Sequence, residues 1–280
     1  MTKVKIVTDS TADLSEESVK QLGISVVPLS ITIDGETYLD RVDITPKEFL
    51  TKMKQSAELP KSSQPAVGQF VELYDQLGKD GSEILSIHMT SGMSGTVSSA
   101  QNAAKLSDSK VTVVDSMYIS KALAFQVVEA AKMAQAGQTR EEIVKRIEEI
   151  RENSTLFVTV DTLENLVKGG RIGKGKALIG SLLNIKPIAS LQDGVYTPVS
   201  KVRSHAKIVK YLTEKFAEDV RNKTIKSVAI AQVDAVELAT NLKDAIKKQT
   251  GYTDVEIVET TPVISTHTGP GAIGFMYYVE

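Results

Sequence analysis

The chain has no cysteine, no tryptophan and only three histidines, and its 33 Lys+Arg nearly balance its 35 Asp+Glu, for a net charge of −2 over 280 residues. Without cysteine there is no disulfide, no thiol nucleophile and no thiolate metal site. The histidines are scattered, with neither H-E-x-x-H nor paired-ligand spacing, so no metal is expected. No strongly basic stripe is present, and nucleic acid is not an expected partner. No segment approaches 18 uninterrupted apolar residues, which removes a transmembrane helix, and nothing in the charge pattern favours stable membrane insertion. The first residues, Met1-Thr2-Lys3-Val4-Lys5-Ile6-Val7-Thr8-Asp9, run straight into a strand pattern without the apolar core of a signal peptide. The expectation is a soluble, cytoplasmic protein.

What is present is an alternation of short β-branched apolar runs with longer helical patterns, the signature of an α/β fold with a parallel or mixed sheet covered by helices. Ten strands are expected, among them Val4–Thr8, Ser25–Ile33, Glu83–Met89, Leu156–Val160, Ile185–Leu191 and Gly274–Val279. Thr45-Pro46-Lys47-Glu48 and Thr139-Arg140-Glu141-Glu142 carry the capping-box spacing of helix starts. Asp34-Gly35 and Asp193-Gly194 sit between strand-like runs and read as hairpin turns. At 280 residues with 41% hydrophobic content, the chain is long for one core. The charged helix from Thr139 leads through Arg151-Glu152-Asn153-Ser154 into a fresh strand, which divides the chain into 1–154 and 155–280.

Three polar segments at element boundaries stand out. Thr266-His267-Thr268-Gly269-Pro270-Gly271-Ala272 gathers two hydroxyls, an imidazole and three turn-formers, so the chain turns there and the side chains before the turn can converge on a polar ligand. Ser62-Ser63-Gln64-Pro65 is the second. The third, Thr90-Ser91-Gly92-Met93-Ser94-Gly95-Thr96, follows a buried strand pattern and opens a helix, a place where anions bind well. One hydroxyl there would be an ordinary cap; four in seven residues exceed that need.

Two catalytic motifs fail. Gly170-Arg171-Ile172-Gly173-Lys174-Gly175-Lys176-Ala177 approaches a phosphate-binding loop, but Ala177 stands where a hydroxyl should hold Mg²⁺, and the preceding Asp161–Lys168 reads as helix, not strand. Gly92-Met93-Ser94-Gly95-Thr96 lacks the second glycine of a hydrolase elbow. His88 lies inside an apolar strand and reads as a satisfied core histidine; His205, at a helix start, reads as exposed. Arg171 has two readings: a cation delivered to a carboxylate or phosphate, or a solvated side chain at a glycine-closed helix end.

Taken together and in order, Asp9-Ser10-Thr11-Ala12-Asp13-Leu14, Ser63-Gln64-Pro65, Ser94-Gly95-Thr96, Asp115-Ser116, Gly169-Gly170-Arg171-Ile172 and His267-Thr268-Gly269-Pro270-Gly271-Ala272 resemble the DegV family of fatty-acid-binding proteins, over about 3–279. Its members act as the FakB-type subunit of a bacterial fatty acid kinase. The resemblance implies two α/β domains of DegV type with a lipid tunnel between them. It also implies a long-chain fatty acid as ligand, with no cofactor, and a separate ATP-dependent kinase subunit as partner. Such a chain serves phospholipid synthesis without being catalytic alone. The carboxylate-binding set it implies is Ser62, Ser63, Ser94, Thr96, Arg171, His267 and Thr268, with His267 and Arg171 assisting phosphoryl transfer. Family members usually have Thr where this chain has Ser62; the hydroxyl is kept. Burying about 14 methylenes at roughly 0.8 kcal/mol each favours binding by on the order of 11 kcal/mol before association entropy is charged. An unpaired carboxylate would cost several kcal/mol, so hydroxyl donors and a cation are required. Two other readings remain at this stage: a dihydroxyacetone-kinase-like substrate subunit, with His267 capturing a small ketone, and a plain regulatory module.

Overall fold

Three sheets organise the chain in the computed structural model, which describes residues 3–178 and 185–280. A four-stranded parallel sheet has the order β2 (Ser25–Val27), β1 (Val4–Asp9), β6 (Glu83–His88), β7 (Val111–Asp115). A six-stranded mixed sheet has the order β10 (Val195–Val202), β9 (Lys186–Gln192), β8 (Ser154–Thr159), β13 (Ala272–Val279), β11 (Ile225–Val233), β12 (Val255–Glu259), with only β11 and β12 parallel. A small antiparallel sheet joins β4 (Glu36–Leu39), β3 (Ser30–Ile33) and β5 (Lys61–Ser63). Every strand of the four- and three-stranded sheets precedes Ser154, and every strand of the six-stranded sheet begins there or later.

The helices are α1 (Glu16–Leu22), α2 (Pro46–Gln55), α3 (Val67–Gly78), α4 (Thr96–Leu106), α5 (Ser120–Gln135), α6 (Arg140–Glu152), α7 (Glu164–Lys168), α8 (His205–Asp219), α9 (Val236–Thr250) and α10 (Pro262–Thr268). Strand β6 is buried from Ile84 to His88 because both its faces are covered. On one face, Ile84 and Val7 meet Phe70 and Tyr74 of α3 and Ala100 and Ala103 of α4. On the other lies α5, whose alanines allow close approach; it touches β1 and β6 of one sheet and β8, β11 and β13 of the other. One apolar core therefore runs from Ile6 and Leu85 through Leu123 and Val127 to Leu156, Val158 and Met276. A second core lies on the far face of the six-stranded sheet, where Phe216 of α8 and Leu242 of α9 pack on Phe275 and Tyr277.

Both expected capping boxes are present, Thr45 with Glu48 and Thr139 with Glu142. Both hairpin turns are present too, with Asp34, Gly35, Asp193 and Gly194 all at positive φ as a two-residue turn requires. The expected strand Ser25–Ile33 is two strands in two different sheets: Pro28 has no N–H to give to a ladder, and the chain leaves the parallel sheet there. The strand-like run after Asp34-Gly35 is β4, and the three-residue strand β5, beyond α2, is not among the expected strands. Of the helix expected over Asp161–Lys168, only Glu164–Lys168 forms.

Candidate functional site

The short strand β5 sets the first functional side chain. Ser62 pairs with Ile31 and Ser63 with Ser30, which fixes the register of both residues against β3. Ser62 Oγ shares a hydrogen bond of 2.7 Å with Nε2 of His267, which lies on α10. The other ring nitrogen is pressed on the backbone of Gly169, where a Cβ would overlap it, and has no hydrogen-bond partner among the described residues. Burial first, and then the charge of Arg171, lower the His267 pKa to about 4, so the imidazole is neutral at neutral pH.

Arg171 follows the tight turn that ends α7, where its N–H bonds Leu166 O. Its guanidinium donates to Met93 O at 3.1 Å and to Gly169 O at 2.6 Å, which ties the loop after β6 to the loop after α7. The permanent positive charge of the site therefore belongs to Arg171 and not to His267. Ser94 shares a 2.8 Å hydrogen bond with Thr96 Oγ1 and accepts from Thr96 N at 3.3 Å. Gln64 donates to Ser99 Oγ at 2.8 Å and seats its amide over Gly95, so it orders the entry to α4.

Ser62, Ser63, Ser94, Arg171, His267 and Thr268 line one cavity of about 290 Å³ between the two halves of the chain. Its remaining walls are largely apolar and include Leu29, Met89, Ile119, Val158 and Ile264. A void of about 30 Å³ shares Ile119, Val158, Ile264 and Thr268 with it and continues the apolar path to Ala231, Gly274 and Met276 under α5. In the other direction, a surface basin of about 590 Å³ shares Ser62, Arg171 and His267 and adds Lys61 and Lys168. The path is polar and cationic where it meets the surface and apolar where it goes deep.

Two expected contacts are not in the wall. Thr96 is fully buried behind Ser94 and lies outside the cavity; its hydroxyl holds Ser94 in place. Thr266 turns its hydroxyl back to Pro262 O on the buried side of α10, because the residues before Gly269 form a helix rather than a loop and alternate residues face apart. Thr268 does face the cavity, although its hydroxyl proton goes to Ile264 O at 3.0 Å, leaving its oxygen as an acceptor. The failed phosphate loop packs as a 3-10 segment, Gly173–Leu178, against β10.

The Asp9–Leu14 motif acts at the far end of α10. Asp13 accepts from Ser120 Oγ, Thr260 Oγ1 (2.8 Å) and Thr261 N (3.0 Å), and Asp40 accepts from Ser10 Oγ (2.6 Å) and Val263 N (3.4 Å). Both carboxylates are buried. Burial raises both pKa values, that of Asp40 to about 7. His88 is a satisfied core histidine, with Nδ1 on Asp9 Oδ2 at 3.0 Å and Nε2 on Ser86 Oγ at 2.7 Å. That is the hydrogen-bond order of a hydrolase triad, yet all three residues are 0% exposed and Ser86 is engaged by Tyr74, so no substrate reaches it. His205 is exposed and hydrogen-bonds Asp161 at 2.8 Å. The cavity residues Met93, Leu166, Tyr196, Val263 and Ile264 were not singled out by sequence reading. Periodicity marks such residues as buried but does not say which buried face borders a void.

Comparison with known proteins agrees with this architecture. The family model described as "Uncharacterised protein, DegV family" matches residues 3–280. A DegV domain-containing protein of Staphylococcus aureus (strain N315) is 45% identical over 276 residues, 99% of each chain. A fatty-acid-binding DegV family protein of Thermus thermophilus superposes with a TM-score of 0.93 at 31% identity, covering 99% of this chain and 100% of its own. DegV of Bacillus subtilis, a fatty acid binding protein, superposes with a TM-score of 0.92 at 33% identity over 100% of both chains. With a family match over nearly its whole length and relatives this similar end to end, the chain belongs to the DegV family.

Proposed function

We propose that this protein binds one long-chain fatty acid in the cavity between its halves and presents the carboxyl group to a separate ATP-dependent kinase subunit. The observation that carries the reading is the polarity gradient along a single path, from the Lys61–Lys168–Arg171 basin, past the hydroxyls of Ser62 and Ser94, to the apolar end at Ala231 and Gly274. An aliphatic acid has that same gradient. The deep walls favour its methylenes, while the hydroxyls and Arg171 replace water around its carboxylate. Fatty acid binding by the Thermus and Bacillus relatives supports the assignment.

In the kinase step, a carboxylate oxygen attacks the γ-phosphorus of ATP held by the partner, ADP leaves, and an acyl phosphate forms. Arg171 and the neutral His267 stand where charge develops on the carboxyl side of that transfer. The near-miss phosphate loop supports a division of labour in which ATP belongs to the partner. A small-ketone substrate would leave the apolar walls without a purpose, and Ser62 already engages His267 Nε2. Denaturing extraction followed by lipid mass spectrometry is expected to release a long-chain fatty acid. The reloaded protein, mixed with a fatty acid kinase catalytic subunit and ATP, is expected to yield hydroxylamine-trappable acyl phosphate. Absence of lipid together with failure to bind palmitate would overturn the binding reading, and bound lipid without acyl phosphate would overturn the kinase half alone.

A further inference from the structure

Two motifs that stand out in the sequence have no part in the cavity wall, Asp115-Ser116 and the hairpin turn Asp193-Gly194, and both converge on the loop that leads from β6 to Ser94. Asp115, at the end of β7, accepts from Ser91 N at 3.1 Å with one carboxylate oxygen and from Met117 N at 2.9 Å with the other. Gly194 belongs to the other half of the chain, and its carbonyl oxygen accepts from the hydroxyl of Thr90 at 3.0 Å, across 104 positions of sequence. Thr90 is where these contacts meet, and it is 0% exposed. Its N–H donates to Tyr118 O at 2.9 Å, and its carbonyl oxygen accepts from Met93 N at 3.2 Å and Ser94 N at 3.3 Å. Its hydroxyl accepts from Gly92 N at 3.1 Å while donating to Gly194 O. A threonine hydroxyl that serves only its own turn bonds a neighbouring backbone group. This one does so with Gly92 and carries its proton across to the other half. The fit is close from both sides: a Cβ on Gly194 would lie 2.0 Å from Thr90 Oγ1, and one on Gly92 would lie 2.6 Å from Gly194 O. Glycine is therefore required on both sides of the junction. The same loop receives the bond from Arg171 to Met93 O, and its Met93 and Ser94 both wall the cavity.

We propose that Thr90 is a positioning residue for the carboxyl end of the lipid, holding Ser94 against the acid by joining the loop that bears it to the β9–β10 turn of the other half. Valine has nearly the shape of threonine but can neither accept from Gly92 N nor donate to Gly194 O, whereas serine can do both. A directed contact such as that of Ser94 is lost when its support shifts by about 1 Å. This inference rests on the fatty-acid reading of the cavity.

The test measures palmitate affinity for delipidated wild type, Thr90→Val, Thr90→Ser and Gly194→Ala, each also combined with Ser94→Ala. Thr90→Val is expected to bind palmitate about five- to tenfold more weakly than wild type, and Thr90→Ser to come within about twofold of it. In the Ser94→Ala background the Val substitution is expected to change affinity by less than about twofold, because the contact it disturbs is already gone. Gly194→Ala presses a methyl group on the Thr90 hydroxyl from the other half and is expected to reproduce the Val loss, with the same dependence on Ser94. That variant carries the test if Thr90→Val does not fold. A loss of equal size with and without Ser94 would make Thr90 merely structural and overturn the proposal. So would unchanged affinity in Thr90→Val, or a Thr90→Ser protein as weak as Thr90→Val. If wild type itself does not bind palmitate, the fatty-acid reading falls instead, which is a different outcome from binding that is indifferent to Thr90.

Discussion

His267 is positioned from both sides, with Nε2 on Ser62 and Nδ1 on the backbone of Gly169. The second contact leaves no room for a methyl group. Gly169→Ala is therefore expected to push the ring off Ser62 and reduce acyl phosphate formation at least tenfold, with the far-UV circular dichroism of wild type retained. Normal turnover in that variant would show that the ring position is not what the glycine protects. Ser62→Ala and Ser94→Ala each remove one polar group from the carboxyl end and are expected to weaken palmitate binding by about 1–3 kcal/mol per donor in titration calorimetry. Unchanged affinity in the double variant would place the carboxylate elsewhere. At this scale the sequence marked most of the polar residues that the fold brings to one cavity, because hydroxyls, glycines and an imidazole concentrated at element ends stand out without any tertiary information. It could not separate Ser94 from Thr96, two residues apart on the same turn. That distinction depends on which hydroxyl the start of α4 buries.

Helix α10 carries His267 near its C-terminal end and rests its N-terminal end on the buried carboxylates of Asp13 and Asp40. Asp40 titrates near 7 in the folded protein against roughly 3.9 unfolded, so the folded state holds the extra proton between those values and stability is lost as pH rises through that window. His267 titrates near 4 against roughly 6.5 unfolded, so its contribution runs the other way: stability is lost as pH falls from about 6.5 to 4. The two slopes oppose each other at the two ends of α10. Asp40→Asn is expected to gain stability relative to wild type as pH rises from about 4 to 7, and His267→Asn to gain relative to wild type as pH falls over nearly the same range. Chemical denaturation midpoints across that range check both, and a pH-independent difference for either variant would remove that residue from the linkage. The sequence marked the Gly269-Pro270-Gly271 turn but not the helix before it, since seven residues without an amphipathic stripe give little periodic signal. The break at Pro28 was legible in principle. It was missed because the apolar run continues through it into β3.

The two halves of the molecule share a core through α5, so a ligand lying along that core touches both at once. Palmitate bound at a hundred times its Kd is expected to stabilise the fold by about 2.7 kcal/mol and raise the melting temperature by several degrees relative to delipidated protein. An unchanged midpoint in the presence of excess palmitate would mean that the folded protein does not bind it preferentially. The α/β alternation could be read from the chain. The shared core could not, because the alanines of α5 look the same whether they cover one sheet or two. The order of strands in the six-stranded sheet has its own consequence for biosynthesis. β13, made after all its neighbours, lies between β8 and β11 in the middle of that sheet. Until residues 272–279 have left the ribosome, β8 and β11 have open edges and Gly274 and Met276 are missing from the deep end of the cavity. The deep wall of the cavity is thus the last part of the sheet to be completed, after the strands on either side of it have been made.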